Sequence, residues 1–211
     1  MKILVAGAHG AVGRLVTARL VGAGHEVRGM VRDPAQAEQV RALGAEPVIA
    51  DLTRAATLPA AVAGSEAIVF AAGSRGKDLD GVDRGGAMRL IDAAGTAGSG
   101  RFIMLSSFFA GHPDEGPEKI RPYLRAKRAA DDHLAASRLQ YTIVRPGWLT
   151  DDAGTGLVTT GAYLADQSGS ISRSDVAETL VAALDVPQTV GRAFEVVSGS
   201  EPIREALTRL S

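Results

Sequence analysis

Gly7-Ala8-His9-Gly10-Ala11-Val12-Gly13 follows directly on Lys2-Ile3-Leu4-Val5-Ala6, and these two stretches decide how the chain is read. A short apolar run enters a turn with glycine at every third position, and a helix-like segment leaves it. A parallel βαβ unit seats a dinucleotide pyrophosphate in this way. Gly7 lacks a Cβ and suits the tight turn. Gly10 lets the backbone approach the phosphates, and Gly13 lets the helix lie close to the strand. The N–H groups that open the helix, at Ala11 and Val12, then face the phosphate charge. The spacing is G-x-x-G-x-x-G rather than G-x-G-x-x-G, and a ligand-free strand-to-helix turn would use the same residues. The flanks favour the binding turn. Val12, Leu15, Val16, Leu20 and Val21 recur at helical spacing, Gly22 and Gly24 stop that helix, and Glu26 to Val31 reads as a second strand.

Composition narrows the class. The 211 residues are 45% hydrophobic and 22% charged, with a net charge of −1. One large domain of ordinary globular character is expected. A charge so near zero leaves no footprint for nucleic acid. The chain has no cysteine, which excludes disulfides, thiolate catalysis and iron–sulfur or cysteine–zinc centres. No apolar run reaches the length of a membrane span. The strand that begins at residue 2 leaves no room for a secretory signal. The expectation is a cytoplasmic monomer or homodimer with a small-molecule substrate. The four histidines are scattered, so no metal site is expected.

Strand and helix alternate along the chain. Strands are expected at 2–6, 26–31, 47–50, 67–71, 101–105, 141–144 and 194–197. Helices are expected at 11–23, after Asp33-Pro34, near 57–63, and at 82–97, 123–137, 174–184 and 202–210. Asp33 is a natural N-cap, with proline in the first turn. The start of the helix near Ser174 is open, because Glu178 lies one residue beyond capping-box spacing. This alternation predicts an α/β fold of the Rossmann type, a doubly wound parallel sheet covered on both faces. Residues 145–169 read as irregular and form the candidate for a small substrate-side lobe, completed by the C-terminal segment. Asp131-Asp132 reads as a solvated helix face.

The end of strand two bears on cofactor choice. Met30-Val31-Arg32-Asp33 places Arg32 where an NAD site carries an acid. A guanidinium there pairs with a 2′-phosphate, which favours NADP. If Asp33 bound the ribose instead, the cofactor would be NAD. His9, within the phosphate turn, faces either the cofactor or solvent.

Tyr123-Leu124-Arg125-Ala126-Lys127 puts a phenol and an ammonium one helical turn apart. Such a lysine is expected to lower the phenol's pKa. The phenol then exchanges a proton with a carbonyl or alcohol while hydride moves to or from nicotinamide. Ser106-Ser107 closes strand five, where a hydroxyl can meet the substrate oxygen or only bond backbone.

Taken together, these residues resemble an atypical short-chain dehydrogenase/reductase of the NmrA-like, sugar-epimerase-like group. The likeness runs through Asp51-Leu52, Ala71-Ala72-Gly73, Leu105-Ser106-Ser107, Tyr123 and Lys127, Thr142 to Gly147, and Ile171 to Ala177. It implies that Asp51 and Leu52 flank the adenine and that Ala71, Ala72 and Gly73 line a ribose. It implies a catalytic set of Tyr123 and Lys127 with one of the two serines, Ser107 being taken as the catalytic one and Ser106 as a cofactor contact with the choice between them open, and Lys127 also on the nicotinamide ribose. Pro146, Gly147 and Leu149 would meet the nicotinamide end. The C-terminal region is short beside true sugar-nucleotide epimerases, which argues against a large nucleotide-sugar. The resulting expectation is an NADP(H)-dependent oxidoreductase for a small carbonyl or alcohol. An epimerase or isomerase, and a non-catalytic NADP(H) sensor, are the alternatives. Trp148, Phe108, Phe109 and Tyr163 are either substrate-pocket walls or ordinary packing residues.

Overall fold

Ile3 and Val5 leave the first strand on one side, Leu4 and Ala6 on the other, and all four are completely buried. Both faces of the sheet therefore need cover, and the helices supply it. The computed structural model describes residues 1–166 and 168–210. Its first half comprises β1 (Lys2–Ala6), α1 (Ala11–Gly22), β2 (Glu26–Val31), α2 (Ala37–Ala42), β3 (Glu46–Ile49), α3 (Leu58–Val62), β4 (Ala67–Phe70), α4 (Gly85–Thr96) and β5 (Arg101–Leu105). The second half comprises α5 (Arg121–Ala135), β6 (Gln140–Pro146), β7 (Trp148–Thr150), β8 (Leu157–Gly161), β9 (Ser170–Ser172), α6 (Arg173–Asp185), β10 (Arg192–Ser198), β11 (Glu201–Pro202) and α7 (Ile203–Thr208).

The main sheet runs β3-β2-β1-β4-β5-β6-β10-β8-β11. From β3 to β10 every pairing is parallel; β8 then joins β10, and β11 joins β8, antiparallel. This is the expected α/β Rossmann-type architecture. The order reverses between β1 and β4, and ligands of such sheets bind beyond the carboxyl ends of the strands at that reversal. One core unites Val12, Val16 and Leu20 of α1 with Val176 and Leu180 of α6 and Leu207 of α7. The opposite core unites Leu58 of α3, Leu90 and Ile91 of α4 and Leu134 of α5.

Three local expectations change. Residues 145–169 are not irregular: they contain β7 and β8, and β7 pairs with β9 in a small parallel ladder. The glycines there serve close chain crossing, since a Cβ on Gly147 would stand 2.3 Å from the Gly169 carbonyl oxygen. The helix expected at 82–97 begins instead as a π turn, Leu79–Arg84, whose first N–H groups are capped by Asp78. Helix α6 is capped by Ser172, which accepts from the Asp175 N–H at 2.9 Å. The N-cap is thus Ser172, ahead of Ser174, and its hydroxyl also donates to the Asp175 carboxylate at 2.9 Å. The buried Asp175 carboxylate also accepts the N–H groups of Thr155 and Gly156, at 3.0 and 2.8 Å.

At the opposite end of the sheet, Arg101 is buried, and among the described residues no carboxylate pairs with it. Its guanidinium donates to Gln140 O, Thr142 Oγ1, Ala183 O and Thr189 Oγ1 at 2.6–2.8 Å. Burial lowers its pKa from 12.5 to about 10. The Ala183 carbonyl belongs to the last turn of α6, where a cation also complements the helix dipole. Arg101→Met should cost about 2–4 kcal/mol in chemical denaturation, because two hydroxyls and two carbonyls lose a charged donor together. A loss below about 0.5 kcal/mol would show that these groups find other partners.

Candidate active site

The glycine turn is built so that nothing larger than hydrogen fits. A Cβ on Gly7, at φ +86°, would stand 2.7 Å from the Ala72 backbone, and one on Gly13 would stand 2.1 Å from the Gly7 carbonyl oxygen. Such separations force backbone apart, so these glycines are required by packing. Helix α1 starts at Gly10 with no side-chain cap and no acid in its first turn. Its opening N–H groups are left for an anion. A closely approached backbone and an uncapped helix start fit the diphosphate of a nicotinamide cofactor. Around this seat lie exposed His9, half-buried Ala11, and buried Val12.

The neighbouring strand ends supply the rest. Arg32 is exposed just past β2. Asp33 caps the following 3-10 turn, accepting from Ala35 N–H at 2.9 Å, so the capping role expected of it is occupied. Asp51 accepts the N–H and O–H of Thr53, each at 2.8 Å. Partial burial works to raise its pKa, but the Thr53 bonds and the charges of Arg32 and Arg54 hold it below the usual carboxylate range. Leu52 is buried, and its carbonyl accepts from Arg89 Nε at 2.8 Å. Ala71 and Ala72, half-buried, touch the Gly7 turn, and Gly73 borders Asp83.

Tyr123 and Lys127 share one face of α5. Lys127 is 2% exposed; its ammonium donates to Leu105 O at 2.6 Å and lies 5.7 Å from the centre of the Phe70 ring. Burial pushes its pKa down, and Asp131 and Asp83 pull it back. Tyr123 packs against Phe108, Phe109 and Leu124. Burial first, and then the Asp83 carboxylate, push its phenol up to about 12; Asp131 adds to this, and a hydrogen-bonding Ser107 side chain opposes it. The expectation that Lys127 lowers the phenol's pKa is therefore corrected. The ammonium is shared between two buried acids and a carbonyl, and those acids dominate the field at Tyr123.

Asp131 requires a second correction. It is not on a solvated face: it is 1% exposed, while Asp132 alone lies outside, paired with Arg128. Its carboxylate accepts from Ser106 Oγ at 2.8 Å and Arg145 Nε at 3.0 Å. Burial raises its pKa, against Arg145, Lys127 and Ser106. This resolves the two serines sterically: the Ser106 hydroxyl is turned inward to Asp131, and Ser107 is the one beside the phenol.

Four polar residues of the site escaped the sequence reading: Ser74, Asp83, Asp131 and Arg145. Asp131 had a signal, since it lies one further turn along the face carrying Tyr123 and Lys127. Asp83 had none, because the π turn that aims it inward interrupts helical periodicity. Phe109 takes φ +63° two residues after Ser107, a conformation that costs an aromatic residue about 1–3 kcal/mol and collects near functional sites. Pro146, the last residue of β6, and Gly147 after it are buried, whereas Trp148 and Leu149 are 48% and 36% exposed. Among the described residues no group of metal-ligating side chains gathers, and no helix is long and apolar enough to cross a membrane.

These features form one continuous path. The Gly7 turn touches Ala72, Gly73 borders Asp83, the charge of Asp83 acts on both Tyr123 and Lys127, and the Ser107 side chain bonds Tyr123. The sequence profile of a family described as NAD(P)H-binding matches residues 7–187. The "uncharacterized sugar epimerase YhfK" of Bacillus subtilis is 43% identical over the whole of both chains. A Bacillus halodurans structure named as an NAD-dependent epimerase/dehydratase superimposes with a TM-score of 0.94 at 41% identity, covering 100% of each chain. The oxidoreductase ylbE of Lactococcus lactis gives 0.91 at 31% identity, covering 100% of this chain and 96% of that one. The chain belongs to the NAD(P)H-binding family of Rossmann-type proteins, within the atypical short-chain dehydrogenase/reductase group.

Proposed function

We propose that this protein is an NADP(H)-dependent oxidoreductase that reduces a small carbonyl compound. One observation supports the reading: Tyr123 is bonded by the Ser107 side chain and Lys127 holds the Leu105 carbonyl, both at the carboxyl end of β5, the edge of the sheet along which a dinucleotide would lie. The glycine turn and α1 hold the diphosphate, Asp51 and Leu52 border the adenine, and Arg32 takes the 2′-phosphate. Ala71, Ala72 and Gly73 line a ribose, with Lys127 at the second ribose and Pro146, Gly147 and Leu149 toward the nicotinamide. A reduced nicotinamide held there would supply hydride chemistry to a carbonyl carbon. Tyr123 gives the phenolic proton to the carbonyl oxygen, Ser107 orients that oxygen, and water returns a proton to the phenol. Lys127 holds Leu105 and the α5 face in place.

Relatives named as epimerases suggest a second reading. An epimerase starts by taking a proton from an alcohol, and a phenol pushed up to about 12 has little of the phenolate that must take it at neutral pH. Net consumption of NADPH with a carbonyl panel separates the two, because an epimerase regenerates its cofactor.

The cofactor assignment is tested by thermal shift with NADPH, NADH, NADP and NAD at matched concentration. The two phosphorylated forms should stabilise most. Arg32→Ala should weaken NADPH about ten- to hundredfold and leave NADH unchanged, as expected for loss of one charge-assisted phosphate contact. Equal weakening of both would remove the 2′-phosphate role.

A further inference from the structure

Asp131 stands one helical turn beyond Lys127 and two beyond Tyr123 on α5, and it is buried. Both of its side-chain hydrogen bonds fall on a single oxygen. Oδ2 accepts from Ser106 Oγ at 2.8 Å and from Arg145 Nε at 3.0 Å. Oδ1 has no hydrogen-bond partner among the described residues. The carboxylate therefore directs its whole hold onto the exit of β5 and the end of β6.

These two partners stand at the two ends of one short segment. Ser106 opens the turn that leaves β5. Gly111 closes it, and the Arg145 guanidinium lies so near that a Cβ on Gly111 would stand 2.8 Å from Nη1. Arg128 of α5 adds a bond from its Nη1 to the Gly111 carbonyl at 2.5 Å. Between the ends, the Ser107 side chain bonds the Tyr123 phenol. The Ala110 N–H donates to Ser107 O at 3.0 Å, the Phe108 N–H donates to Pro146 O at 2.9 Å, and Phe109 takes φ +63°. A bulky residue keeps such a backbone only where its surroundings over-determine it. Asp131 contributes to that constraint at both ends, directly at Ser106 and through Arg145 at Gly111.

We propose that Asp131 is a positioning residue of this site: it pins residues 106–111 at both ends and thereby holds the Ser107 hydroxyl against the Tyr123 phenol. It acts through Ser107 alone. Freed of either pin, the segment relaxes toward an ordinary φ at Phe109, and Ser107 turns away from the phenol. The catalytic consequence rests on the oxidoreductase reading above; the geometry does not, and its test needs no turnover.

The test is NMR of the full-length chain with tyrosine labelled with 13C at Cζ. The chain has three tyrosines, and Tyr123→Phe identifies the Tyr123 signal by its loss. Ser107→Ala gives the position of that signal without the Ser107 bond. Asp131→Ala should carry the signal to the same position. Asp131→Asn, whose amide oxygen replaces Oδ2, should bring it back toward the native one. If Asp131→Ala does not fold, Ser106→Ala removes one pin, leaves Asp131 paired with Arg145, and should move the signal the same way. With a carbonyl that the native enzyme reduces, kcat of Asp131→Ala or Ser106→Ala should fall about ten- to hundredfold while KM stays within about twofold. Adding Ser107→Ala should then cost less than about threefold more, because the two changes break one bond. A native Tyr123 signal in a folded Asp131→Ala or Ser106→Ala variant overturns the proposal, as does a signal that Ser107→Ala leaves in place. A moved signal with no nicotinamide-dependent turnover of any carbonyl upholds the positioning of Ser107 and removes the oxidoreductase reading.

Discussion

Tyr123→Phe is expected to lose reductive turnover by about a hundred- to ten-thousandfold, the usual contribution of a positioned general acid. Affinity for NADPH should stay within about twofold, because the phenol lies beyond the residues that seat the diphosphate and ribose. The physical basis is the proton. Burial and the Asp83 charge push the phenol up to about 12, so the proton stays on Tyr123 across neutral pH. Phenylalanine fills the same space against Phe108, Phe109 and Leu124 and has nothing to give. The sign of the pH dependence follows. A raised pKa keeps the acid form across neutral pH, so reductive kcat should be flat from about pH 6 to 9. The oxidative rate, which needs the rare phenolate, should climb about tenfold per pH unit over the same range. Stopped-flow absorbance of NADPH with the most active carbonyl measures both. A Tyr123→Phe variant that retains half of native turnover would leave the site without its proton donor and reopen the choice of acid.

Asp131→Ala should be the most destabilising single change at the site, by about 3–5 kcal/mol. The cause is what stays behind. The Arg145 guanidinium, Lys127 ammonium and Ser106 hydroxyl all lose a carboxylate partner in a region closed to water. Against a typical total stability of about 5–15 kcal/mol, such a loss threatens folding at physiological temperature. Asp131→Asn should lose less, since its carbonyl still accepts one bond. Removing Arg145 together with Asp131 should recover part of the loss, and a double-mutant cycle by urea denaturation would measure the coupling. A single-variant loss under about 1 kcal/mol would mean that water reaches the cluster and that its charges are solvated.

Comparing sequence with structure separates two kinds of information. Glycine spacing is legible because the constraint is steric and local: Gly13 must pass the Gly7 carbonyl, and no other residue permits the approach. The parallel sheet is legible because both faces are buried, which leaves continuous apolar runs such as Ile3-Leu4-Val5-Ala6. Tyr123 and Lys127 are legible because four residues make one turn of a helix. The antiparallel β8, the β7–β9 ladder and the inward turn of Asp83 were not. Each depends on a partner contributed from elsewhere in the chain, and glycine- and threonine-rich segments carry no period that announces it.

The adjacent acids of α5 show where that boundary falls. By itself the sequence determined the α/β fold, the phosphate-type turn at the first helix and the helix face that presents phenol and ammonium, since each follows from backbone sterics and periodicity over neighbouring residues. Only the tertiary structure decided that Asp131 turns inward to Arg145 while Asp132 stays in water, that Ser106 is committed and Ser107 left facing the phenol, and that Tyr123 packs against Phe108 and Phe109. Electrostatic environment in a buried cluster is set by distances between segments remote in sequence, and those distances exist only once the sheet has assembled.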